Sequence, residues 1–568
     1  MSTTTATTIR ICTAAGCRSR GGEQLRRHCA IAAERTPGRV KGVGCLGPCS
    51  DGPLLAVDTA GSTRLFGFTS ADAPAGAAST PTMEPSGVQL LSRRVAASLR
   101  RQLNATTAEL RTATLSSWQP PGGRLIPADD PFLALQRRLV LARCGRVDPG
   151  DIDDALAAGA YRQLQAVLEQ DDPAAVIAAV QRSGLRGRGG AAYPTGLKWQ
   201  AVARSPGNRK LVICNGDEGD PGAFMDRTVM EGDPHSVLEG MAIAALAVGA
   251  DRGYVYVRAE YPLAIARLRR AITQAQRRGW LGTAIGGSRH SIHLELRVGA
   301  GAYVCGEETA LIHSIEGRRG TPRPRPPYPA ARGAFGLPTL INNVETLANI
   351  PVLLQLGHER YGRGTKVFSL TGPVRRGGVL EVPLGTSLRT IVETMGGGSA
   401  SGRPIKAVQT GGPSGGCVPA AALDTPVDDD SLRALGTLVG SGGLVVLDAD
   451  TDMVDLAAFF MAFSREESCG KCIPCRCGTV QLELLLRKLL ARRGTAADLA
   501  ELERLCAVVS TASLCGLGQS APRPLLSTLR HFRQEYMALL VDHEDLATGV
   551  RPAGSGRAEV RQAQVLPP

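Results

Sequence analysis

The sequence has few aromatic residues, only seven lysines and no long apolar stretch. Aromatic residues make up 4% of the 568 residues and hydrophobic residues 43%, a globular composition. At roughly 100–200 residues per domain, a chain of this length should hold three or four domains. No segment approaches the ~20 apolar residues that span a bilayer, and the N-terminus has neither the basic start nor the hydrophobic stretch of a signal peptide. We therefore expect a cytoplasmic protein with no direct membrane span.

The positive charge comes almost entirely from arginine. The formal net charge is +13, which by itself permits a nucleic-acid-binding interpretation. However, no run of five or more Lys and Arg residues occurs, and the arginines accompany abundant Ala, Gly and Pro. This composition favours a general bias in amino-acid usage, so we expect no nucleic-acid partner. Fifteen cysteines in a cytoplasmic chain indicate metal or redox chemistry and not a disulfide framework.

Four cysteines lie in a small N-terminal unit at residues 9–75. Cys12 and Cys17 are spaced C-x4-C, and Cys45 and Cys49 are spaced C-x3-C. Structural zinc prefers C-x2-C knuckles, whereas these wider, glycine-flanked spacings suit a [2Fe–2S] cluster better. The spacing thus favours a cluster and leaves zinc as the alternative. Residues 76–125 are rich in Ser, Thr, Ala and Pro, and they predict a linker with an embedded helix over 89–110.

The middle of the chain alternates predicted strands and helices. A helical region over 132–144 precedes a glycine-rich loop, Arg186–Trp199, and strands then alternate with helices from 210 to 298. This alternation predicts a doubly wound parallel sheet, in which ligands bind at the carboxyl ends of the strands. The loop fits neither the P-loop nor the Rossmann fingerprint. Its glycines and two cations, Arg188 and Lys198, still suit an anion such as phosphate.

Two acidic segments follow predicted strands in this region, NGDEGDPGAFMD (215–226) and GAGAYVCGEET (299–309). Carboxylates repel phosphate but accept hydrogen bonds from ribose hydroxyls, a carboxamide or a flavin N–H. Together with the cationic loop, they predict one nucleotide site. Tyr328 in the proline-rich segment 316–347 offers a ring for stacking, and Asn342 and Asn343 offer amide groups.

Two further units complete the chain. Residues 364–446 show a β-β-α-β order, with the helix over 387–395, which predicts a β-grasp module. Residues 452–545 are helical and carry Cys469, Cys472 and Cys475 at C-x2-C-x2-C, followed by the distant Cys515. Three thiolates in one tight loop plus a fourth elsewhere is a [4Fe–4S] pattern, with zinc as the weaker alternative. Cys477 is a fifth cysteine nearby and is expected to be a bystander.

These motifs resemble the family of NADH-oxidising flavoprotein subunits found in respiratory complex I and its soluble relatives. The glycine-rich loop, NGDEGDPG, GAGAYVCGEET, INNVET, ESCGKCxPC and SLCGLG occur in the family's order over roughly 130–540. The fused N-terminal unit looks like that of the diaphorase flavoprotein of bidirectional NAD-linked [NiFe]-hydrogenases, and less closely like the β subunit of NAD-dependent formate dehydrogenases.

The resemblance implies an α/β multidomain fold. Its parts would be a thioredoxin-like [2Fe–2S] domain (9–75), a linker (76–125), a Rossmann-like FMN/NADH α/β domain (126–360), a β-grasp domain (361–450), a C-terminal helical bundle with [4Fe–4S] (451–545) and a disordered tail (546–568).

The resemblance also implies cofactor contacts, carried over position by position. The residues expected to hold FMN are Gly187, Arg188, Gly189, Gly190, Lys198, Asn215, Asp217, Glu218, Tyr303, Gly306, Glu307, Glu308, Asn342 and Asn343. Those expected to touch NAD(H) are Tyr193, Asp220, Arg325 and Tyr328, where the family usually has Phe, Glu, Lys and Phe. The [4Fe–4S] ligands would be Cys469, Cys472, Cys475 and Cys515, and the [2Fe–2S] ligands Cys12, Cys17, Cys45 and Cys49.

The function implied is NADH:acceptor oxidoreductase, without a catalytic acid or base. NADH and the flavin exchange a hydride because the protein aligns the two rings, and electrons then leave singly through the clusters. The electron partner must lie on another chain, expected to be an iron–sulfur subunit with a hydrogenase, or a formate dehydrogenase, or a quinone-linked complex. A rival from another class is a non-catalytic zinc scaffold or nucleic-acid adaptor, which would be colourless.

Overall fold

Three β-sheets and a group of helices follow one another along the chain in the computed structural model, which describes residues 7–33, 38–59, 62–68, 120 and 123–541. Nearly all of the predicted linker 76–125, with its helix over 89–110, lies outside these residues, as does the tail 546–568. The three sheets contain five, four and five strands.

The first sheet is built mainly from the N-terminal unit. Its strands are β1 (Thr7–Cys12), β2 (Gly38–Val43), β3 (Leu54–Thr59), β4 (Ser62–Gly67) and β5 (Arg124–Ile126), in the order β2-β1-β3-β4-β5. β1 and β2 are parallel, and the other pairs are antiparallel. Helices α1 (Ala15–Ser19) and α2 (Gly22–Ala33) connect β1 to β2. The last strand of the first sheet, Arg124–Ile126, thus overlaps the end of the predicted linker, and the sheet extends outside residues 9–75.

The segment between the first and second sheets is less helical than the sequence predicts. Over 132–144 only α3 (Pro131–Ala134) is helical, so the longer predicted helix is wrong. The backbone N–H groups of Leu139, Val140 and Leu141 donate instead to the buried carboxylate of Glu381, at 3.0, 3.0 and 2.9 Å. A partner that is distant in sequence thus satisfies donors that a helix would have used internally.

The second sheet, here the central sheet, is fully parallel, as predicted, in the order β8-β7-β6-β9. Its preceding helices are α4 (Ile152–Ala157), α5 (Arg162–Gln170), α6 (Pro173–Arg182) and α7 (Thr195–Arg204). It continues with β6 (Leu211–Gly216), α8 (Met225–Gly232), α9 (Pro234–Val248), β7 (Arg252–Arg258), α10 (Pro262–Arg277), β8 (His293–Gly299), α11 (Glu308–Ile315), β9 (Thr339–Asn343) and α12 (Val344–Tyr361). α9 is buried along its whole length, which explains its nearly continuous apolar sequence.

The third sheet has the strand order β11-β10-β14-β12-β13. Its elements are β10 (Thr365–Thr371), β11 (Gly378–Pro383), β12 (Ile405–Thr410), β13 (Gly416–Pro419), α13 (Asp429–Ala434) and β14 (Gly443–Asp448). The helix predicted over 387–395 contains a π-helix, Thr390–Met395. β14 inserts between β10 and β12, and the sequence pattern did not reveal it.

The C-terminal helices are α14 (Met453–Glu466), α15 (Ile473–Leu490), α16 (Ala496–Ala512), α17 (Gly516–Ser520) and α18 (Arg523–Met537). A capping box of Thr495 and Asp498 starts α16. The part of the predicted helical region 452–545 that the structure describes, up to residue 541, is thus built of helices. Within the described ranges, no helix combines the length and apolarity that crossing a membrane requires.

Candidate functional site

The carboxyl ends of β6, β8 and β9 bring the two acidic segments and the paired asparagines to one edge of the central sheet. Asn215, the second-last residue of β6, donates from Nδ2 to the carbonyl oxygen of Gly306 at 2.9 Å. Its Oδ1 accepts the N–H of Asp217 at 3.1 Å. One asparagine thus joins the first acidic segment to the second at the edge where such sheets bind ligands.

The glycine-rich loop closes on itself beside the same edge. The N–H of Gly187 donates to the carbonyl of Tyr193 at 2.9 Å, and the N–H of Arg188 donates to Thr346 Oγ1, in the first turn of α12, at 2.8 Å. A Cβ at Gly189 would lie only 3.0 Å from Asn343 Cβ. The loop and the asparagines therefore form one wall.

The two cations of the loop have different surroundings. Lys198 Nζ donates to Glu308 Oε1 at 2.5 Å and to the carbonyl of Ile341 at 3.1 Å, so it lies at the ligand edge. Arg188 is buried and lies near Tyr361, and its Nε has no hydrogen-bond partner among the described residues. Lys198 therefore lies among the other site residues, while the guanidinium of Arg188 keeps an unsatisfied donor.

The three carboxylates of the first acidic segment differ in their hydrogen bonding. Glu218 accepts the N–H groups of Asp226 and Arg227, at 2.8 and 2.9 Å, and thereby caps α8. Asp220 accepts the hydroxyl of Tyr303 at 2.9 Å and that of Ser441, from the third sheet, at 2.5 Å. The side chain of Glu218 is thus committed to the fold, while that of Asp220 joins two parts of the chain.

Asp217 is the carboxylate whose hydrogen bonding is incomplete. Its Oδ2 is buried and has no hydrogen-bond partner in the structure, and burial raises the pKa of this carboxyl to about 8. A buried acceptor without a donor is costly unless a ligand supplies one. A flavin carries an N–H in its ring system, so Asp217 fits the FMN that the resemblance implies.

The second acidic segment and the asparagines surround this position. Glu307 caps α11 through the N–H groups of Thr309 and Ala310, and its other oxygen pairs with Arg325. Asn342 Oδ1 accepts the indole N–H of Trp199 at 2.9 Å. Asn343 Nδ2 donates to Asp226 Oδ2 at 2.5 Å, while its Oδ1 caps α12.

Two tyrosines expected to stack on the nicotinamide nucleotide have free ring surface. Tyr193 is 52% exposed and Tyr328 is 59% exposed. Both belong to segments that contact the site, because Tyr193 closes the glycine-rich loop and Arg325, near Tyr328, pairs with Glu307. Exposed aromatic rings beside a polar pocket are suited to stacking on a flat ligand.

The four cysteines of the C-terminal pattern line one small cavity, together with Val304 and Pro322 from the central unit. Cys475 is buried, and burial raises the pKa of its thiol to about 11. The N–H of Leu514 points at Cys472 Sγ, at 3.5 Å, as backbone amides do around cluster sulfurs. In the part of the chain that the structure describes, no three His, Cys, Asp or Glu side chains meet closely enough for a single metal ion. The four thiols, arranged around a cavity, fit a cubane cluster.

This cavity is directly connected to the nucleotide edge. The N–H of Tyr303 donates to Glu467, just before Cys469, at 2.9 Å, and its ring packs edge-on against Phe463 at 5.2 Å between centroids. Arg319 donates to the carbonyl of Cys469 at 3.0 Å. The segment Tyr303–Gly306 therefore contacts both the nucleotide edge and the cysteine cavity.

The four N-terminal cysteines also come together. Cys45 Sγ and Cys49 Sγ are 3.7 Å apart. The neighbouring thiols of Cys12 and Cys49 lower the pKa of Cys45, and those of Cys17 and Cys45 raise the pKa of Cys12. All fifteen cysteines of the chain are free thiols. The arrangement gives four sulfur donors in one place, which suits a [2Fe–2S] cluster.

Other parts of the chain hold these cysteine loops in place. The N–H of Ala15 donates to Glu231 Oε2, at the end of α8, at 2.8 Å, and Arg267 donates to Thr13 Oγ1 at 2.8 Å. Ser50 donates its N–H to the carbonyl of Gly377, before β11, at 3.1 Å. The N-terminal cysteines thus lie at a junction with the central unit and the third sheet. α8, whose first turn Glu218 caps, reaches directly from the nucleotide edge to this junction.

Sequence reasoning missed several residues of the site. Ser441 and Glu467 contact predicted site residues but belong to other elements, and Trp199 closes the glycine-rich stretch without having been predicted as a contact. The partners of all three lie far away in the sequence. Of these three residues, only Ser441 stands in a distinctive local sequence, GSGG, in which it is the one residue with a side chain.

Comparison with known proteins agrees with this geometry. Residues 180–352 match the Nuo51 FMN-binding domain, and residues 455–539 match the NADH-ubiquinone oxidoreductase-F iron–sulfur binding region. The NADP-reducing hydrogenase subunit HndC of Solidesulfovibrio fructosivorans is 50% identical over 414 residues, 72% of this chain and 84% of that protein. An NADH-quinone oxidoreductase subunit of Rhizobium meliloti is 45% identical over 389 residues, 67% of this chain and 92% of that protein.

The fold is also similar to a solved structure over nearly its whole length. The crystal structure of an NAD+-reducing [NiFe]-hydrogenase in the H2-reduced state aligns with a TM-score of 0.64 and 28% identity, covering 97% of this chain and 90% of that one. The chain belongs to the family of NADH-oxidising flavoprotein subunits that bind FMN and an iron–sulfur cluster. It is an NADH dehydrogenase-type oxidoreductase whose cofactors are FMN, NAD(H) and a [4Fe–4S] cluster.

Proposed function

We propose that this chain is the diaphorase subunit of a soluble NAD-linked hydrogenase, exchanging electrons between NAD(H) and an iron–sulfur partner subunit. The observation that carries the proposal is the segment Tyr303–Gly306, which contacts the nucleotide edge on one side and the cysteine cavity on the other. FMN supplies the conversion between a two-electron hydride and single electrons. The protein would hold FMN and the [4Fe–4S] cluster on the two sides of the segment Tyr303–Gly306.

The FMN site comprises the residues that the family pattern implies. The glycine-rich loop, Lys198 and the asparagines would hold the phosphate and sugar side, because they supply donors at one wall. Asp217 would accept a ring N–H, since its Oδ2 is otherwise without a partner. Glu218 would act only by shaping the turn, because both its oxygens cap α8. Tyr193, Asp220, Arg325 and Tyr328 would contact NAD(H).

The three sheets support a division into domains with the expected identities. Most of the first sheet would belong to a thioredoxin-like domain over 9–75, to which β5 (Arg124–Ile126) is added. The central sheet would be a Rossmann-like FMN/NADH domain over 126–360, and the third a β-grasp domain over 361–450. The helices over 451–545 would form the [4Fe–4S] bundle through Cys469, Cys472, Cys475 and Cys515. Cys12, Cys17, Cys45 and Cys49 would hold a [2Fe–2S] cluster as a branch from the flavin.

The assignment to a hydrogenase rests on the share of this chain that each relative matches. The NAD+-reducing hydrogenase structure matches nearly the whole chain, whereas the quinone-linked relative matches about two thirds of it. A respiratory NADH-quinone oxidoreductase is the second candidate, favoured by 45% identity within that part. We place the complex in the cytoplasm. We propose NAD(H) and not NADP(H) as the nucleotide, because carboxylates line the site.

A two-way electron-transfer assay tests this proposal. The purified chain loaded with FMN and iron should reduce benzyl viologen with NADH, and should reduce NAD+ when supplied with dithionite-reduced methyl viologen. NADPH should be at least about tenfold less effective, because the site's carboxylates repel a 2′-phosphate. A fully loaded chain that transfers electrons in neither direction would contradict the diaphorase assignment.

A further inference from the structure

In the loop Gly440–Gly442, just before β14, only the middle residue has room for a side chain. Gly440 has φ +62°, and a Cβ there would collide with Gly411 Cα. Gly442 has φ +118°, and a Cβ there would lie 2.5 Å from the carbonyl oxygen of Val367. Positive φ and close backbone contacts both require glycine at these positions. Ser441 between them is therefore the residue through which this loop can interact with a neighbour.

The hydroxyl of Ser441 is directed at the nucleotide edge. Its Oγ donates to Asp220 Oδ2 at 2.5 Å, while the hydroxyl of Tyr303 donates to Asp220 Oδ1 at 2.9 Å. A carboxylate with one donor on each oxygen is fixed in rotation. Each oxygen keeps a lone pair for a further donor. Asp220 is thus oriented but still able to accept a ligand hydroxyl.

A buried ion pair anchors the loop from behind. Lys366 Nζ donates to the carbonyl of Ser441 at 2.5 Å and pairs with Glu345. The side chains of Lys366 and Glu345 are 2% and 1% exposed. Glu345 in turn accepts the N–H of Val367 at 2.9 Å. Since Glu345 lies in the first turn of α12, next to Asn343, the loop is tied to the opposite wall of the same site.

From this geometry we propose that Ser441 is a positioning residue for NAD(H). It orients the carboxylate of Asp220 toward the ribose hydroxyls of the nucleotide, so that the third sheet completes a site otherwise built on the central sheet. The inference rests on the proposed NAD(H) contact of Asp220. A purely structural role would join the two parts of the chain without affecting the nucleotide.

The test compares Ser441→Ala with Ser401→Ala in the FMN- and iron-loaded chain. Ser401 donates to Asp448 at 2.7 Å, in the same part of the chain, and is a matched Ser–Asp pair outside the site. Ser441→Ala should raise KM for NADH and weaken NAD+ binding, measured by calorimetry, by about tenfold each, the usual effect of losing one hydrogen bond to a carboxylate. kcat and FMN content should stay within about twofold.

A second pair of variants guards against a folding defect. Ser441→Thr keeps the hydroxyl, and Ser441→Val has the shape of threonine without the hydroxyl. The Thr variant should therefore retain most of the NAD+ affinity, and the Val variant should lose it. Equal behaviour of Thr and Val, or an unchanged KM in Ser441→Ala, would overturn the proposal. Failure of the proposed NAD(H) site itself is distinguishable, because the wild-type chain would then bind no NAD+.

Discussion

Replacing Cys475 by serine should remove about four iron atoms per chain, the full content of the cubane cluster. Cys475 is the most buried of the four cysteines that line the cavity, and a serine hydroxyl is a poor iron ligand. The [4Fe–4S] electron paramagnetic resonance signal should disappear, and the brown absorbance should fall to the part contributed by the proposed [2Fe–2S] cluster. NADH should still bleach the flavin, because the flavin site is built on the central sheet.

Cys477→Ser is the control for this experiment. Cys477 lies two residues further along the chain but is exposed and is not part of the cavity wall, so iron content and signal should stay unchanged. If both variants lose iron equally, or if Cys475→Ser retains all of it, the assignment of the ligand set is wrong.

The affinity for FMN should depend steeply on pH through Asp217. Burial raises the pKa of this carboxyl to about 8 in the FMN-free chain, so it is protonated below that pH. The proposed contact needs a carboxylate that accepts the flavin N–H, so binding releases a proton. The dissociation constant should therefore rise about tenfold per pH unit as pH falls from about 8 to about 6, measured by the quenching of FMN fluorescence.

Asp217→Asn removes the titrating group and should flatten this dependence. Asp450→Asn, an exposed carboxylate in the turn after β14, should leave it intact. An affinity that is constant with pH, or that increases toward low pH, would show that Asp217 does not accept from the flavin as a carboxylate.

The cysteine spacings and strand periodicity predicted the parts of the site that depend on local sequence. Cys469, Cys472 and Cys475 lie in one short segment that leads into the first turn of α15, so their convergence follows from spacing. The parallel central sheet likewise follows from alternating strands and helices, and it places the two acidic segments at one edge. The strand β9, which brings Asn343 to the same edge, was not predicted.

Contacts between distant segments were beyond such reasoning. The predicted helix over 132–144 fails because Glu381, far along the chain, takes its backbone donors. The nearness of Arg188 to Tyr361 could not be predicted either, because a loop's sequence does not fix which part of the core the loop packs against. Ser441 could be recognised as part of the site only when the third sheet was seen against Asp220.

The measurement that tests the central claim most directly is an anaerobic visible and electron paramagnetic resonance spectrum of the purified chain, before and after NADH, with chemical iron and zinc analysis. The account predicts one FMN, about six irons per chain from one [2Fe–2S] and one [4Fe–4S] cluster, bleaching of the flavin by NADH, and a signal from each cluster on full reduction. A colourless chain that contains zinc, or a flavin that NADH does not bleach, would contradict it.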